Sequence, residues 1–139
     1  MSAYADRHEN FMALLESDTV FYLEPVFANT WRQVGEGIPG EDGGDRSGTS
    51  VSISRDGSRL AVGAPGNTDG DSTSYDIGHV RVFGWTDNGW VQLGADIDGK
   101  SEHDWFGGSV SLSDRGDRLA VGATGADDNG ERSGLAQVY

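Results

Sequence analysis

From Gly48 onward the chain alternates small and bulky side chains with a period of two, the signature of strands whose two faces meet different surroundings. Val51 and Ile53 fall on one side and Ser50, Ser52 and Ser54 on the other; Leu60 and Val62 likewise alternate with Ala61 and Gly63. Four strands are predicted over residues 48–54, 59–64, 79–85 and 90–97. Arg55-Asp56-Gly57 and Thr86-Asp87-Asn88-Gly89 separate the first from the second and the third from the fourth. Both stretches are rich in residues that tolerate positive φ, so these links are hairpins. A sheet with one bulky and one small face is built to stack, because the small face makes room for bulky side chains of the next sheet.

The pattern then recurs. The stretch from Trp31 to Pro65 aligns without a gap on that from Trp90 to Thr124, a period of 90 − 31 = 59 residues. Trp31 matches Trp90, Gln33 matches Gln92, Ile38 matches Ile97, Asp45 matches Asp104, Val51 matches Val110, and the block RLAVGA stands in both copies. Beyond that block Gly78 pairs with Gly134 at a spacing of 56, so the second copy is shorter in a loop, where length varies most freely. The fold expected is all-β, made of four-stranded antiparallel units: a complete one over 48–97, an incomplete one over 106–139 and the end of a preceding one over 18–47. Residues 1–17 are expected to form a tail, irregular or a short helix, since Phe11, Leu14 and Leu15 fall at i, i+3 and i+4.

Phe106-Gly107, followed by Ser109-Val110-Ser111-Leu112-Ser113, a turn, the RLAVGA block and Thr124, resembles the phrase of the FG-GAP repeat found in integrin α-subunit propellers. The first copy keeps Gly63-Ala64-Pro65 but has Ser47-Gly48 in place of Phe-Gly. WD40 and kelch units are shorter, at about 40–45 and about 50 residues. The resemblance covers residues 31–139 and implies a partial β-propeller working in adhesion or other recognition, extracellular or at the cell surface. One complete blade flanked by partial ones does not close a ring. The remaining blades of a longer chain, or further copies of this one, are therefore expected partners.

Composition narrows the partners. Ten basic against 23 acidic residues give a formal net charge of −13, which repels nucleic-acid backbones and anionic membranes. No apolar stretch is long enough for membrane insertion or for a signal peptide. Cysteine is absent, which removes disulfides, thiolate metal sites and a cysteine nucleophile. Twenty-two glycines fit many tight turns.

Successive connections of an antiparallel blade alternate between its two ends, so the long loops 36–47, 65–77, 95–105 and 124–133 share one rim, and they hold most of the carboxylates. Asn67, Asp69 and Asp71, with Asp127, Asn129 and Glu131 as a looser echo, place oxygens at alternate positions as a calcium loop does; the glycine that should follow is missing from both. Calcium is the one cofactor this suggests, beside the plainer reading of solvated acidic loops. Members of the resembled family bind calcium through a D-x-D-x-D-G hairpin, but the equivalent turns here, with Asp56 in one and Asp114 and Asp117 in the other, supply too few oxygens. Asp96, Asp98, Asp104 and Trp105 are candidate ligand-binding residues on the rim. Asp45 and Asp104, just before the first strand of each unit, also suit an Asx-turn that orders the loop. Trp31 and Trp90 suit packing at a strand start. No G-x-S-x-G, H-E-x-x-H or phosphate-binding glycine loop is present, and His8, His79 and His103 are scattered, so no catalytic residue is assigned. The expectation is a non-catalytic module binding protein or glycan. The alternatives are a propeller hydrolase or lyase using paired rim carboxylates, or a truncated product with no role of its own.

Overall fold

The computed structural model describes residues 31–68 and 75–139 in full, together with the backbone of three strands nearer the N-terminus, β1 (Tyr4–Ala5), β2 (Phe11–Leu14) and β3 (Val20–Tyr22). It divides into two compact units, Met1–Gln33 and Val34–Tyr139. The first contains an antiparallel sheet of order β1-β2-β3, in which Met12 pairs with Tyr4 on one side and Tyr22 on the other. Phe11–Leu14 is therefore strand, where a short helix was one expectation. The apolar run from Phe11 to Leu15 is too short for its periodicity to separate the two states, and pairing on both edges decides for strand.

The second unit holds two sheets. Strands β4 (Ser50–Ile53), β5 (Arg59–Ala64), β6 (His79–Thr86) and β7 (Gly89–Gln92) form an antiparallel sheet in that order. Strand β8 (Ile97–Asp98) pairs with the start of β6, His79 opposite Asp98 and Val80 opposite Ile97. The fourth strand is thus interrupted at 93–96: the Leu93 amide still donates to the Val82 carbonyl, Gly94 takes φ 79°, and the extra residues form a bowed segment before pairing with β6 resumes at Ile97. The second sheet has the order β11-β10-β9, from β9 (Phe106–Leu112), β10 (Leu119–Ala123) and β11 (Leu135–Val138). The fold is all-β and its sheets are blades of a partial β-propeller.

Register explains how the blades stack. Ser50 opposes Gly63 and Ser52 opposes Ala61, while Ala61 and Gly63 oppose Val82 and Val80 on β6, giving one face small on its inner strands. In the second blade Val110 opposes Val121 and Leu112 opposes Leu119, giving a bulky face. These two faces meet: Ala61 and Val80 share one buried cluster with Phe106, Leu119, Val121, Ala123 and Ala126, flanked by Val82, Val110 and Leu112. Polar bonds cross the same seam. Ser50 Oγ donates to the Gly107 carbonyl at 2.6 Å, and the Leu112 amide donates to Ser52 Oγ at 2.9 Å. The bulky positions of β4, Val51 and Ile53, are 62% and 57% exposed, because the first blade meets the second through its small face only.

Contact is closest at Gly63, where an added Cβ would overlap the Gly107 carbonyl oxygen. Since this is backbone against backbone, no rotamer change relieves it. Replacing Gly63 with Ala is expected to destabilise the protein by about 1–3 kcal/mol. Gly43→Ala, where nothing lies within 4 Å of the new carbon, serves as the control. Urea unfolding of the two variants checks this: equal midpoints would mean the blades do not approach as described.

Candidate functional site

The two ends of the blades differ in chemistry. At the hairpin end, Ser54, Asp56 and Ser58 close the β4-β5 turn. Asp56 Oδ1 accepts from Ser54 Oγ at 2.7 Å, from the Ser58 amide at 3.0 Å and from Ser58 Oγ at 2.9 Å. In the equivalent turn of the second blade the partner moves to Asp117, whose Oδ1 accepts from Ser113 Oγ at 2.8 Å. Across the seam the Arg55 amide donates to the Asp114 carbonyl at 3.0 Å, and the Arg59 guanidinium donates to the Gly116 carbonyl at 2.9 Å. The carboxylates of Asp56 and Asp117 thus act in turn closure.

At the opposite end the long loops are bonded to one another with the period of the sequence. The Gly66 amide donates to the Asp45 carbonyl, and 59 residues on the Gly125 amide donates to the Asp104 carbonyl, each at 3.0 Å. Asp45 Oδ2 accepts from the Asp42 amide at 2.8 Å, and Asp104 Oδ2 from the Ser101 amide at 3.0 Å, with the Lys100 amide at 3.3 Å. Arg46 and its counterpart Trp105 both take φ 54°, as do Asp76 and its counterpart Arg132 at 49° and 51°. Asp45 and Asp104 are buried, 3% and 6% exposed, so each carboxylate holds its own loop. The loops of the two blades are joined as well: the His103 amide donates to the Tyr75 carbonyl and the Trp105 amide to the Asp76 carbonyl, and the rings of Tyr75 and His103 stack.

Among the candidate ligand residues, Trp105 is half-buried beneath the Arg132 guanidinium, 5.7 Å from its ring centroid. Asp98 is exposed on β8. Asp96 sits in the bowed segment, with Oδ1 accepting from Gln92 Nε2 at 2.5 Å. Asp104 forms part of a depression of about 250 Å³ shared with Lys100, Ser101, Ala126, Asp127 and Asp128. Asp104, Trp105 and Asp127 therefore belong to one region, and Asp96 and Asp98 to another.

The candidate calcium residues fall differently. Asn67 is buried, its carbonyl accepting from the Gly78 amide; Asp69 and Asp71 lie outside the described residues. Asp127, Asn129 and Glu131 are exposed, and Asp127 Oδ1 accepts from the Arg132 amide at 2.5 Å. Trp90 packs edge-on against Trp85, with centroids 5.2 Å apart, and donates its Nε1–H to the Val34 carbonyl, whereas Trp31 is exposed.

Two features were not foreseen. Residues 35–39 overlie Arg81, Phe83, Trp85 and Trp90 to leave a cleft of about 520 Å³. Beside it, His79 lies between Glu41 and Asp96, its Nδ1 3.8 Å from Glu41 Oε2 and 3.8 Å from Asp96 Oδ2. The sequence signal for this cluster was a break in the repeat: Glu41 aligns with Lys100 and His79 with Leu135, so blade architecture alone does not require either.

A partial propeller with an ordered acidic rim is a propeller-type binding module in its general class. The FG-GAP repeat family model matches residues 96–139. No curated protein matches the chain.

Hydrogen bonding from Ser54 and Ser58 lowers the Asp56 pKa from 3.8 to about 2. Because folding depresses this value, the stabilising contribution is complete above the ordinary carboxylate pKa and is lost as pH falls through the folded one. Thermal melting between pH 4 and pH 2 is expected to show a shallower loss of stability in Asp56→Asn than in the parent. Parallel curves would exclude the turn carboxylate as a source of the acid sensitivity.

Proposed function

We propose that this protein is a non-catalytic recognition module whose long-loop rim binds protein surfaces presenting basic side chains. The observation that carries this reading is the rim itself. Its loops bring Asp76, Asp98, Glu102, Asp127, Asp128 and Glu131 to one end of the blades, and the loop backbones are tied by hydrogen bonds that repeat from one blade to the next. Carboxylates on an ordered frame bind a cationic partner with little further loss of chain entropy. The net charge of −13 adds long-range attraction, which speeds encounter and weakens with salt.

The depression at Lys100, Ser101, Asp104, Ala126, Asp127 and Asp128, next to the Trp105–Arg132 pair, gives the rim relief and an aromatic neighbour. An extracellular or cell-surface setting is what the resemblance to integrin α-subunit propellers implies.

Surface plasmon resonance against a panel of purified basic and acidic extracellular proteins, with a glycan array beside it, tests this. Binding is expected for basic proteins, with association slowing as salt rises and in the Glu102→Gln/Asp128→Asn/Glu131→Gln variant. Binding indifferent to both salt and the variant, or confined to neutral glycans, would reject the reading.

A further inference from the structure

We propose that Glu41, His79 and Asp96 form a binding site for a divalent transition-metal ion of the zinc type. The three side chains come from separate parts of the first blade. His79 opens β6, Asp96 lies in the bowed segment between β7 and β8, and Glu41 belongs to the loop that precedes β4. One ligand atom from each lies within 4.8 Å of the other two.

The imidazole makes this more than a cluster of surface acids. His79 is 1% exposed, and the ring nitrogen that faces the two acids is Nδ1. Nδ1 points at both carboxylates but stays 3.8 Å from each, beyond hydrogen-bond reach. A proton on Nδ1 therefore reaches neither carboxylate, and a lone pair there faces two anions; a cation held by Nδ1, Glu41 Oε2 and Asp96 Oδ2 would balance both carboxylates and take up that lone pair. Zinc bonds of about 2.0–2.2 Å in tetrahedral array set ligand atoms about 3.4 Å apart. Glu41 and Asp96, with side chains 45% and 28% exposed, can make up the difference by small torsional changes.

Neighbouring groups orient the carboxylates. Gln92 Nε2 holds Asp96 Oδ1, leaving Oδ2 toward the ring. The Arg81 guanidinium lies 3.6 Å from Glu41 Oε1, leaving Oε2 toward the ring, and is itself anchored on the Pro39 carbonyl at 2.7 Å. One nitrogen and two carboxylate oxygens favour zinc and its neighbours over calcium, which takes six to eight oxygens. The exposed side of the cluster leaves a fourth position for water or an incoming ligand.

The departure from the repeat agrees with a dedicated site. Lys100 and Leu135 stand at the positions equivalent to Glu41 and His79, so the second blade keeps its fold without this set.

Isothermal titration of the whole chain with Zn2+ tests the proposal, with Ca2+ titrated in parallel. The expected result is uptake of one zinc ion per chain, little affected by calcium and weakened about tenfold or more in both Asp96→Asn and Glu41→Gln. Asp114→Asn, an exposed carboxylate at the hairpin end, is expected to bind as the parent does. His79→Gln disturbs a buried position, so the two partly exposed carboxylates carry the test, with circular dichroism confirming that each variant is folded. Absence of saturable zinc uptake by the parent, or uptake undiminished in both carboxylate variants, would overturn the proposal.

Discussion

The structure depends on the close approach of one blade's small face to the next blade's bulky one at Gly63 and Gly107. Side chains of Val110, Leu112, Leu119 and Val121 need space, and Ser50, Ser52, Ala61 and Gly63 supply it. Burying such apolar groups is worth about 25 cal/mol per Å² removed from water, so a seam of this kind outweighs any single polar contact in the molecule. The serines do a second job. By bonding the Gly107 carbonyl and the Leu112 amide they satisfy backbone groups that the packing of sheets would otherwise leave dry.

This seam also positions the rim. Once β9 lies against β4 and β5, the loops at the far end are brought together, and Tyr75 and Asp76 of one blade receive the amides of His103 and Trp105 of the other. The order of the acidic loops thus follows from packing below them as well as from Asp45 and Asp104 within them. Because the carbonyls of these two residues accept from Gly66 and Gly125, where an added Cβ would overlap backbone oxygens, the tight loop crossings recur in both blades. Asp45 and Asp104 thus serve the fold through both carboxylate and carbonyl.

Much of this was legible in the sequence because the repeat states it twice. The 59-residue period, the RLAVGA strands, the hairpin turns and the loop-ordering role open to Asp45 and Asp104 all follow from aligned residue types. The alternation of Val51 and Ile53 with serines identified two faces, but not which of them meets the second blade. Phe11–Leu14 remained ambiguous because a short apolar run satisfies both helical and strand periods, and only its pairing with β1 and β3 separates them. The break of the fourth strand at 93–96 and the gathering of Glu41, His79 and Asp96 were hidden for a different reason: they depend on where the bowed segment places Asp96 in space, which spacing along the chain does not encode.

If the blade seam is the foundation, the amides that bond across it must open only when the two blades separate. Arg55, whose amide bonds the Asp114 carbonyl, and Leu112, whose amide bonds Ser52 Oγ, are the direct reporters, and native-state hydrogen exchange reads them residue by residue. Protection at both comparable with that of the hydrogen-bonded amides in β5 is the predicted result. Exchange at the rate of free loop amides, with β5 still protected, would show that the blades do not form one packed unit.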